Sequence, residues 1–515
     1  MKQMNGSILI PQKGGLGARH LSSALEKETG RPPKLYFLNK VPAHSLYDEA
    51  ELAAIKTAVE KDDWIGISVA AIGVERARQL IRLLKSTPEL AAKPVLVGGV
   101  QAFASPQLFY EMGADAVCHQ EGEIWLPEAI RMLEAGQRIP PEFETATPRH
   151  DSIQPPDYDF TKGMHYVLRG GAIHQIDRPE EEFAAIDNFS IIGPRYPLWL
   201  FTDRRCRFSC AYCINHRLNA FDKTHGGPPG RLSTPKLLEW VKEMVTKYPL
   251  IDYVVFFDDD FLPRFLDGKR AGKDELGLFC AFWKSEIRRP FFAYFSPMTF
   301  VFNGELVGAL IDAGLKQVNF GYQSGGREAL RHYRRLGTSF EAIRHMAEFT
   351  AKAAREGRID TPAIDFIINS PFETAEDMRQ TIETILRLTP PFDTQMHNLH
   401  LFVGYRLTKT FEELGTGLNA LPGYRQILDS EFQDHTRHAE WLWPNIEDDR
   451  AYLTLLQMLM TGLCTEQMLG VLRREDMPMW LGLAPEERRA RIGELQALFK
   501  ANPRIKYYDE LAGIS

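Results

Sequence analysis

Residues 196–216 read Tyr196-Pro-Leu-Trp-Leu-Phe-Thr-Asp-Arg-Arg-Cys206-Arg-Phe-Ser-Cys210-Ala-Tyr212-Cys213-Ile-Asn-His216. An apolar, strand-like run over 196–202 leads into three cysteines, Cys206, Cys210 and Cys213, spaced CxxxCxxC with the aromatic Tyr212 directly before the third. The chain has 515 residues and 6 cysteines, so half of its thiols fall between positions 206 and 213. Such a cluster asks for a soft metal. Three thiolates bind three irons of a four-iron, four-sulfur cluster and leave the fourth iron open to a substrate or cofactor. The other reading is zinc, because His216 completes a Cys₃His set with the same cysteines. A structural zinc site usually sits in a small domain that depends on it, whereas this run lies inside a long α/β region.

The rest of the composition sets the frame. With 44% hydrophobic and 25% charged residues the chain reads as an ordinary soluble globular protein. Its length allows roughly two to four domains. A net charge of −7 gives no support for nucleic-acid binding. No N-terminal signal pattern and no apolar run of membrane-spanning length are present. Few, clustered cysteines point to the reducing cytoplasm rather than to a disulfide scaffold.

Residues 1–136 alternate short apolar runs with amphipathic ones. Strands are expected at 7–10, 34–38, 64–70, 94–100 and 114–118, with helices near 18–29, 74–85, 105–112 and 125–134. This order predicts a doubly wound parallel sheet, whose ligands sit at the carboxyl ends of the strands. Those ends are 68–73, 98–101 and 120–123, where small residues let backbone amides approach a large ligand. Cys118 reads as a small buried hydrophobe.

Prolines mark 137–195 as a linker. Across 196–415 the strand and helix alternation resumes for about six units, with strands expected at 253–257, 291–295, 317–321, 363–368 and 397–403 after the cysteine strand. In barrels built this way chemistry gathers at the C-terminal strand ends. Asp258, Asp259 and Asp260 form one such end; as plain chemistry they make a solvated loop or a cation site. Tyr294 and Ser296 stand at the next, and Gln323 and Ser324 follow the fourth strand. Pro371 makes a turn and Thr374 can cap the helix after it. The segment 416–515 reads as helical, near 450–463, 465–474 and 485–501, with Trp441, Trp443 and Trp480 adding aromatic mass; Cys280 and Cys464 read as core residues.

The CxxxCxxC spacing with Tyr212 resembles the signature of the radical SAM enzymes. In that family the open iron binds the amino and carboxylate groups of S-adenosylmethionine, and an electron from the [4Fe-4S] cluster cleaves it to a 5′-deoxyadenosyl radical. The set Gly66-Ile67-Ser68, Val97-Gly98-Gly99-Val100, Ala114-Asp115-Ala116-Val117 and Glu121-Gly122-Glu123 resembles the cobalamin-binding domain found before many radical SAM domains. Gln120 stands where that family usually has Gly. None of His20, His44 and His119 sits in an Asp-x-His-x-x-Gly motif, so the resemblance implies cobalamin without a histidine ligand, its lower face toward residues such as 70–74 or 100–101. It places Ser68, Ala70, Gly73, Gly98, Gly99, Gln101, Glu121 and Gly122 against cobalamin. It also implies that Asp258, Asp259 and Asp260 meet the amino group of S-adenosylmethionine and that Gln323 and Ser324 lie near its ribose and carboxylate. Tyr294 and Ser296 could face it or the substrate. Segments 369–374 and 404–408 resemble the turns after strands five and six.

The implied protein is an α/β enzyme: a Rossmann-like cobalamin domain (1–136), a linker (137–195), a partial (β/α)₆ barrel (196–415) and a helical region (416–515). The implied activity is a cobalamin-dependent radical SAM methyltransferase acting on an unactivated carbon or phosphorus of a small molecule or peptide. One S-adenosylmethionine would methylate cob(I)alamin and a second would generate the radical. The electron donor would be a protein such as flavodoxin or ferredoxin. A cyclase or ring-rearranging enzyme without methyl transfer, a radical SAM enzyme that does not use cobalamin, and a non-catalytic zinc protein remain open.

Overall fold

Alternating burial divides the first strands between two cores. Ile8, Ile10, Leu35, Phe37 and Leu96 pack into one apolar cluster with Leu25, Trp125 and Ala129. Their neighbours Leu9, Tyr36, Val95 and Val97 pack into another with Ile55, Leu80, Leu84 and Phe109. A strand with apolar side chains on both faces needs helices on both faces. Helices Leu16–Thr29 and Gly122–Glu134 supply one layer. Helices Glu49–Val59, Val74–Ser86 and Pro106–Met112 supply the other. The computed structural model describes residues 3–40, 45–149, 151–184, 196–228, 230–266, 271–301, 303–414, 443–460, 462–464, 469 and 482–499.

Strands β1 (Gly6–Ile10), β2 (Lys34–Phe37), β3 (Trp64–Ser68), β4 (Val95–Gly98) and β5 (Ala116–Val117) form a parallel sheet in the order β5-β4-β3-β1-β2. The order reverses at β1, as in doubly wound, Rossmann-like sheets. Within the stretch expected as a linker lie two further strands. Of these, β6 (His165–Arg169) extends the sheet parallel to β2, and β7 (Ala172–Gln175) pairs antiparallel with β6. The Pro-rich segment before them is a joint between the sheets. Tyr158 OH donates to Trp199 O at 2.9 Å, and Arg19 lies between the rings of Phe37 and Tyr158.

The second sheet runs in chain order: β8 (Pro197–Leu200), β9 (Tyr253–Phe256), β10 (Phe291–Phe295), β11 (Leu315–Gln323), β12 (Ala363–Ile368) and β13 (Phe392–Asn398), all parallel. Helices lie between successive strands, including Thr234–Lys247, Ala271–Phe282, Gly304–Ala313, Phe340–Arg355 and Ala375–Arg387. This is an open, partial (β/α)₆ barrel. A short β14 (Gly462–Cys464) adds to it antiparallel beside β13. Thr374 caps the helix after β12, as its sequence position suggested: its hydroxyl accepts from Asp377 N–H at 3.1 Å, and Asp377 returns a contact to Thr374 N–H.

Two expectations change. The sixth barrel strand is 392–398 rather than 397–403. Phe392, Thr394, Met396 and Asn398 are buried, and the partly buried Asp393, Gln395 and His397 alternate with them, so five of the seven residues are polar and the strand lacks an apolar run. The apolar residues after it serve elsewhere: Leu399 packs with Ala211, Tyr333 and Leu407. The helix expected at 450–463 ends at Leu459, because 462–464 becomes β14. Helix Pro485–Phe499 is present, while Trp441, Trp480, the side chain of Cys464 and most of 465–474 lie outside the described residues. Cys280 is partly buried against the main core.

Candidate active site

The carboxyl ends of the two sheets face each other across one cavity, with about 1430 Å³ of empty space including its mouth. From the first sheet it is lined by Ser68, Gly98, Gly99 and the loop 120–123; from the second by Phe201, Phe257, Asp259 and the cysteine loop at 203–205 and 214–215. Gly99 is required for this wall. Its φ is +100°, and a Cβ there would lie 2.5 Å from Val69 O. Gly98 is free of such a clash, its nearest neighbour being Cys118 Cβ at 3.6 Å.

Of the residues assigned to cobalamin, Ser68, Gly98, Gly99, Glu121 and Gly122 line the cavity, and Ala70, Gly73 and Gln101 do not. Gln12 explains the first two: its Oε1 accepts from Ala70 N–H at 3.2 Å and would be 2.4 Å from a Cβ on Gly73. Gln101 is buried, and its amide donates to Val403 O at 3.0 Å. Glu121 also holds the neighbouring loop. Its carboxylate pairs with Arg204 at 3.2 Å and Arg205 at 2.8 Å, and Glu123 pairs with Arg204 at 2.5 Å. These arginines directly precede Cys206, so the acidic loop of the first sheet holds the cysteine loop of the second. Cys118 is buried as expected and also touches the cavity; burial pushes its thiol up to about 12.

The cysteine loop is fixed by side chains that reach its sulfurs and carbonyls. Asn215, buried at the start of helix Asn215–Thr224, donates to Cys213 Sγ at 3.4 Å and to Asp259 Oδ2 at 2.9 Å. Arg335 donates to Cys210 Sγ at 3.4 Å, to Tyr212 OH at 3.1 Å and to Gly321 O at 2.6 Å. Asn219 donates to the carbonyls of Cys206 and Phe208. Burial, then the nearby Asp259, pushes the thiol of Cys213 up to about 11 and that of Cys206 in the same direction. Iron would supply the positive charge that thiolates need there. Three thiols in one loop, with hydrogen-bond donors already aimed at two sulfurs, fit an iron–sulfur cluster. They do not fit a Cys₃His zinc site. His216 is occupied at both nitrogens, Nδ1 on Cys213 O at 2.5 Å and Nε2 accepting from Arg406 N–H at 3.2 Å. Among the described residues no group of three His, Cys, Asp or Glu side chains converges on a single-ion site.

The three aspartates after β9 separate into three roles. Asp258 is buried and accepts from the N–H groups of Thr202 (2.6 Å) and Asp203 (2.9 Å), anchoring the approach to the cysteines; burial raises it to about 6. Asp260 is buried against Thr299, whose hydroxyl donates at 2.8 Å, and burial raises it to about 7. Asp259 alone opens onto the cavity, where the enclosing walls hold its carboxyl above the usual range. Ser296 caps the short helix Pro297–Phe300, its hydroxyl accepting from Met298 N–H at 3.3 Å. Ser324 is fully buried and donates to Glu373 Oε1 at 2.9 Å. Gln323 has φ +83° and lies back over Gly321, where a Cβ would meet its Nε2 at 2.6 Å.

Tyr294 stands edge-on to Phe257, with ring centroids 5.8 Å apart, which puts it next to the cavity wall; burial, then the charges of Asp365 and Asp259, keeps it protonated. Beyond it runs a polar row that sequence reading missed. Asn319 Nδ2 donates to Asp365 Oδ1 at 3.2 Å, and His397 Nε2 lies 3.4 Å from the same oxygen. Burial opposes charge on His397, but Asp365 outweighs it and raises the pKa. The alternation of polar residues along 393–397 was the available signal. Phe201 and Phe257, also missed, sit one residue past β8 and β9, at the strand ends where barrel chemistry gathers.

Residues 201–385 match the family model of the Radical SAM superfamily, so the chain carries a radical SAM domain that starts at the C-terminal end of β8 and includes all three cysteines. The whole fold resembles two solved proteins. One is TsrM, a radical S-adenosylmethionine methyltransferase from Kitasatospora setae with cobalamin and a [4Fe-4S] cluster bound: TM-score 0.56, 18% identity, 81% of this chain and 76% of that chain covered. The other is OxsB, a cobalamin-dependent S-adenosylmethionine radical enzyme with aqua-cobalamin bound: TM-score 0.55, 14% identity, 99% of this chain and 75% of that chain. At these identities the likeness is one of fold. No protein of curated function matches the chain by sequence. No helix among the described residues is long and apolar enough to cross a membrane.

Proposed function

We propose that this protein binds cobalamin between its two sheets and acts as a methyltransferase on an unactivated carbon of a small molecule or peptide. The observation that carries the reading is the single cavity shared by the glycine-lined ends of β3 and β4 and the cysteine loop. When bound, the [4Fe-4S] cluster and S-adenosylmethionine supply radical generation, and cobalamin supplies a methyl carrier. Cys206, Cys210 and Cys213 hold the cluster. Asp259 offers a carboxylate to an ammonium group. The backbone at 98–100 and 120–122 lets a large flat ligand approach, and Phe201, Phe257 and Tyr294 keep water from the reacting space. The protein's share is to fix these parts in one dry site.

The test is to produce the protein without oxygen, with iron and cobalamin supplied, and to measure bound cobalamin. Near-stoichiometric cobalamin, followed by transfer of a deuterated methyl group from labelled S-adenosylmethionine to a product, is the expected result. Cobalamin bound with radical cleavage but no methyl transfer would favour rearrangement chemistry. A cluster-containing protein without cobalamin would overturn the reading.

A further inference from the structure

Helix Leu16–Thr29 follows β1, and the Pro-rich segment clamps one side of it. Three contacts make the clamp. Arg19 Nη1 donates to Asp157 O at 2.8 Å, Ser22 Oγ donates to Asp157 Oδ2 at 2.8 Å, and His20 Nδ1 lies 2.7 Å from Gln154 O. A carbonyl oxygen only accepts, so Nδ1 carries the proton and the neutral ring keeps its lone pair on Nε2. Burial, then the charge of Arg204, pushes the His20 pKa down to about 3, and the ring is neutral at any working pH. His20 is 1% exposed and lines the cavity, and its Nε2 has no hydrogen-bond partner among the described residues. Arg204 Nη2, equally enclosed in the same wall, is taken by Glu123 at 2.5 Å. A buried lone pair without a donor is costly, and a ligand that brings the donor removes the cost.

We propose that His20 is a cofactor contact, its Nε2 accepting a hydrogen bond from an amide N–H or hydroxyl at the rim of the corrinoid in this cavity. The inference rests on the cobalamin reading of the cavity. The floor that admits a flat ligand is at the ends of β3 and β4, at Ser68, Gly98 and Gly99. His20 belongs to the side wall, on the helix after β1, where its neighbour Leu21 sits 2.7 Å from the place of a Cβ on Gly122. That position suits the edge of a flat ligand rather than its central metal. Cobalamin carries primary amides around its corrin edge, and each offers N–H donors. The clamp on Gln154 fixes the tautomer before the ligand arrives, so the contact costs no reordering of the ring.

The test uses protein that holds its cluster and has been prepared without cobalamin. It is titrated with hydroxocobalamin, comparing the native chain with His20→Phe and His20→Gln. Both variants lose the Nδ1 contact to Gln154 O, but only Gln restores an acceptor at the reach of Nε2. The expected result is a dissociation constant raised about 10-fold in His20→Phe and largely recovered in His20→Gln. The rise in Tm on adding hydroxocobalamin should shrink in His20→Phe alone, with cluster content equal in all three proteins. Equal affinity of native and His20→Phe would overturn the proposal. Equal loss in both variants would also overturn it, because His20 would then serve only to hold the Pro-rich segment. Nitrogen splitting in the electron paramagnetic resonance spectrum of bound cob(II)alamin, present in the native protein and absent in His20→Phe, would overturn it by making His20 a cobalt ligand. Native protein that keeps its cluster yet binds no hydroxocobalamin would overturn the cobalamin reading itself, an outcome separate from the other three.

Discussion

The two walls of the cavity are built in opposite ways. The first sheet presents backbone: Gly98, Gly99 and Gly122 leave room, and Gly99 is held at a φ that other residues rarely adopt. The second presents side chains, with Asp259, Phe201, Phe257 and a cysteine loop in which the sulfurs of Cys210 and Cys213 already carry hydrogen bonds. A backbone wall accepts a bulky ligand by shape. A side-chain wall supplies ligands, charge and proton control. Damage should therefore look different on each side: steric on the first, chemical on the second.

The largest effect is expected on the chemical side. Cys210→Ala should abolish cleavage of S-adenosylmethionine and lower iron content, measured by metal analysis and by 5′-deoxyadenosine formation; retained cleavage would refute the cluster assignment. On the steric side, Gly99→Val must strain the backbone by roughly 1–3 kcal/mol and close the approach, so cobalamin retention should be lost with a lower Tm. Gly98→Ala, which meets only Cys118 at 3.6 Å, should weaken cobalamin retention with little change in Tm. Equal Tm losses in the two variants would erase the distinction.

Within the side-chain wall, the aspartates separate a site residue from its support. Asp259→Asn should lower kcat/KM for S-adenosylmethionine by roughly 10- to 100-fold at an unchanged Tm, the worth of a charged hydrogen bond. Asp258→Asn should instead cost about 1–3 kcal/mol of stability, because two buried N–H groups lose their acceptor charge. The smallest effect concerns pH. Glu373 is fully buried, its Oε2 has no hydrogen-bond partner among the described residues, and burial raises its pKa to about 8. A raised folded-state pKa means that its contribution is complete below the ordinary carboxylate range and is lost as pH rises toward 8. Glu373→Gln should flatten the fall in Tm between pH 5 and pH 8 in thermal melts; an unchanged slope would show that other groups set it.

The sequence made some of this visible and hid the rest for physical reasons. Strand and helix alternation was legible wherever strands were apolar on both faces, as in β1 and β9, because periodicity reports burial. It failed at β13, where polar residues stand on both faces and no apolar run forms. It also failed at β6 and β7, short strands amid prolines with exposed positions. The cysteines were legible because their spacing is itself the chemistry. The three aspartates looked equivalent in a row, yet adjacent side chains at a strand end point in different directions, and only Asp259 opens onto the cavity. The resemblance placed Glu121 at the ligand, and it does line the cavity, but its pairing with Arg204 and Arg205 was hidden because they lie more than eighty positions away.

That last contact bears on how a large ligand enters. On one side the two sheets meet through aromatic residues, with the Tyr158 hydroxyl donating to Trp199 O and Phe160 tilted on Tyr248. At the cavity they meet through Glu121 and Glu123 on Arg204 and Arg205. These charged contacts are largely shielded from water, and parting a shielded ion pair is costly. Loading should accordingly be slow wherever it requires these pairs to part, with the ligand retained once they re-pair.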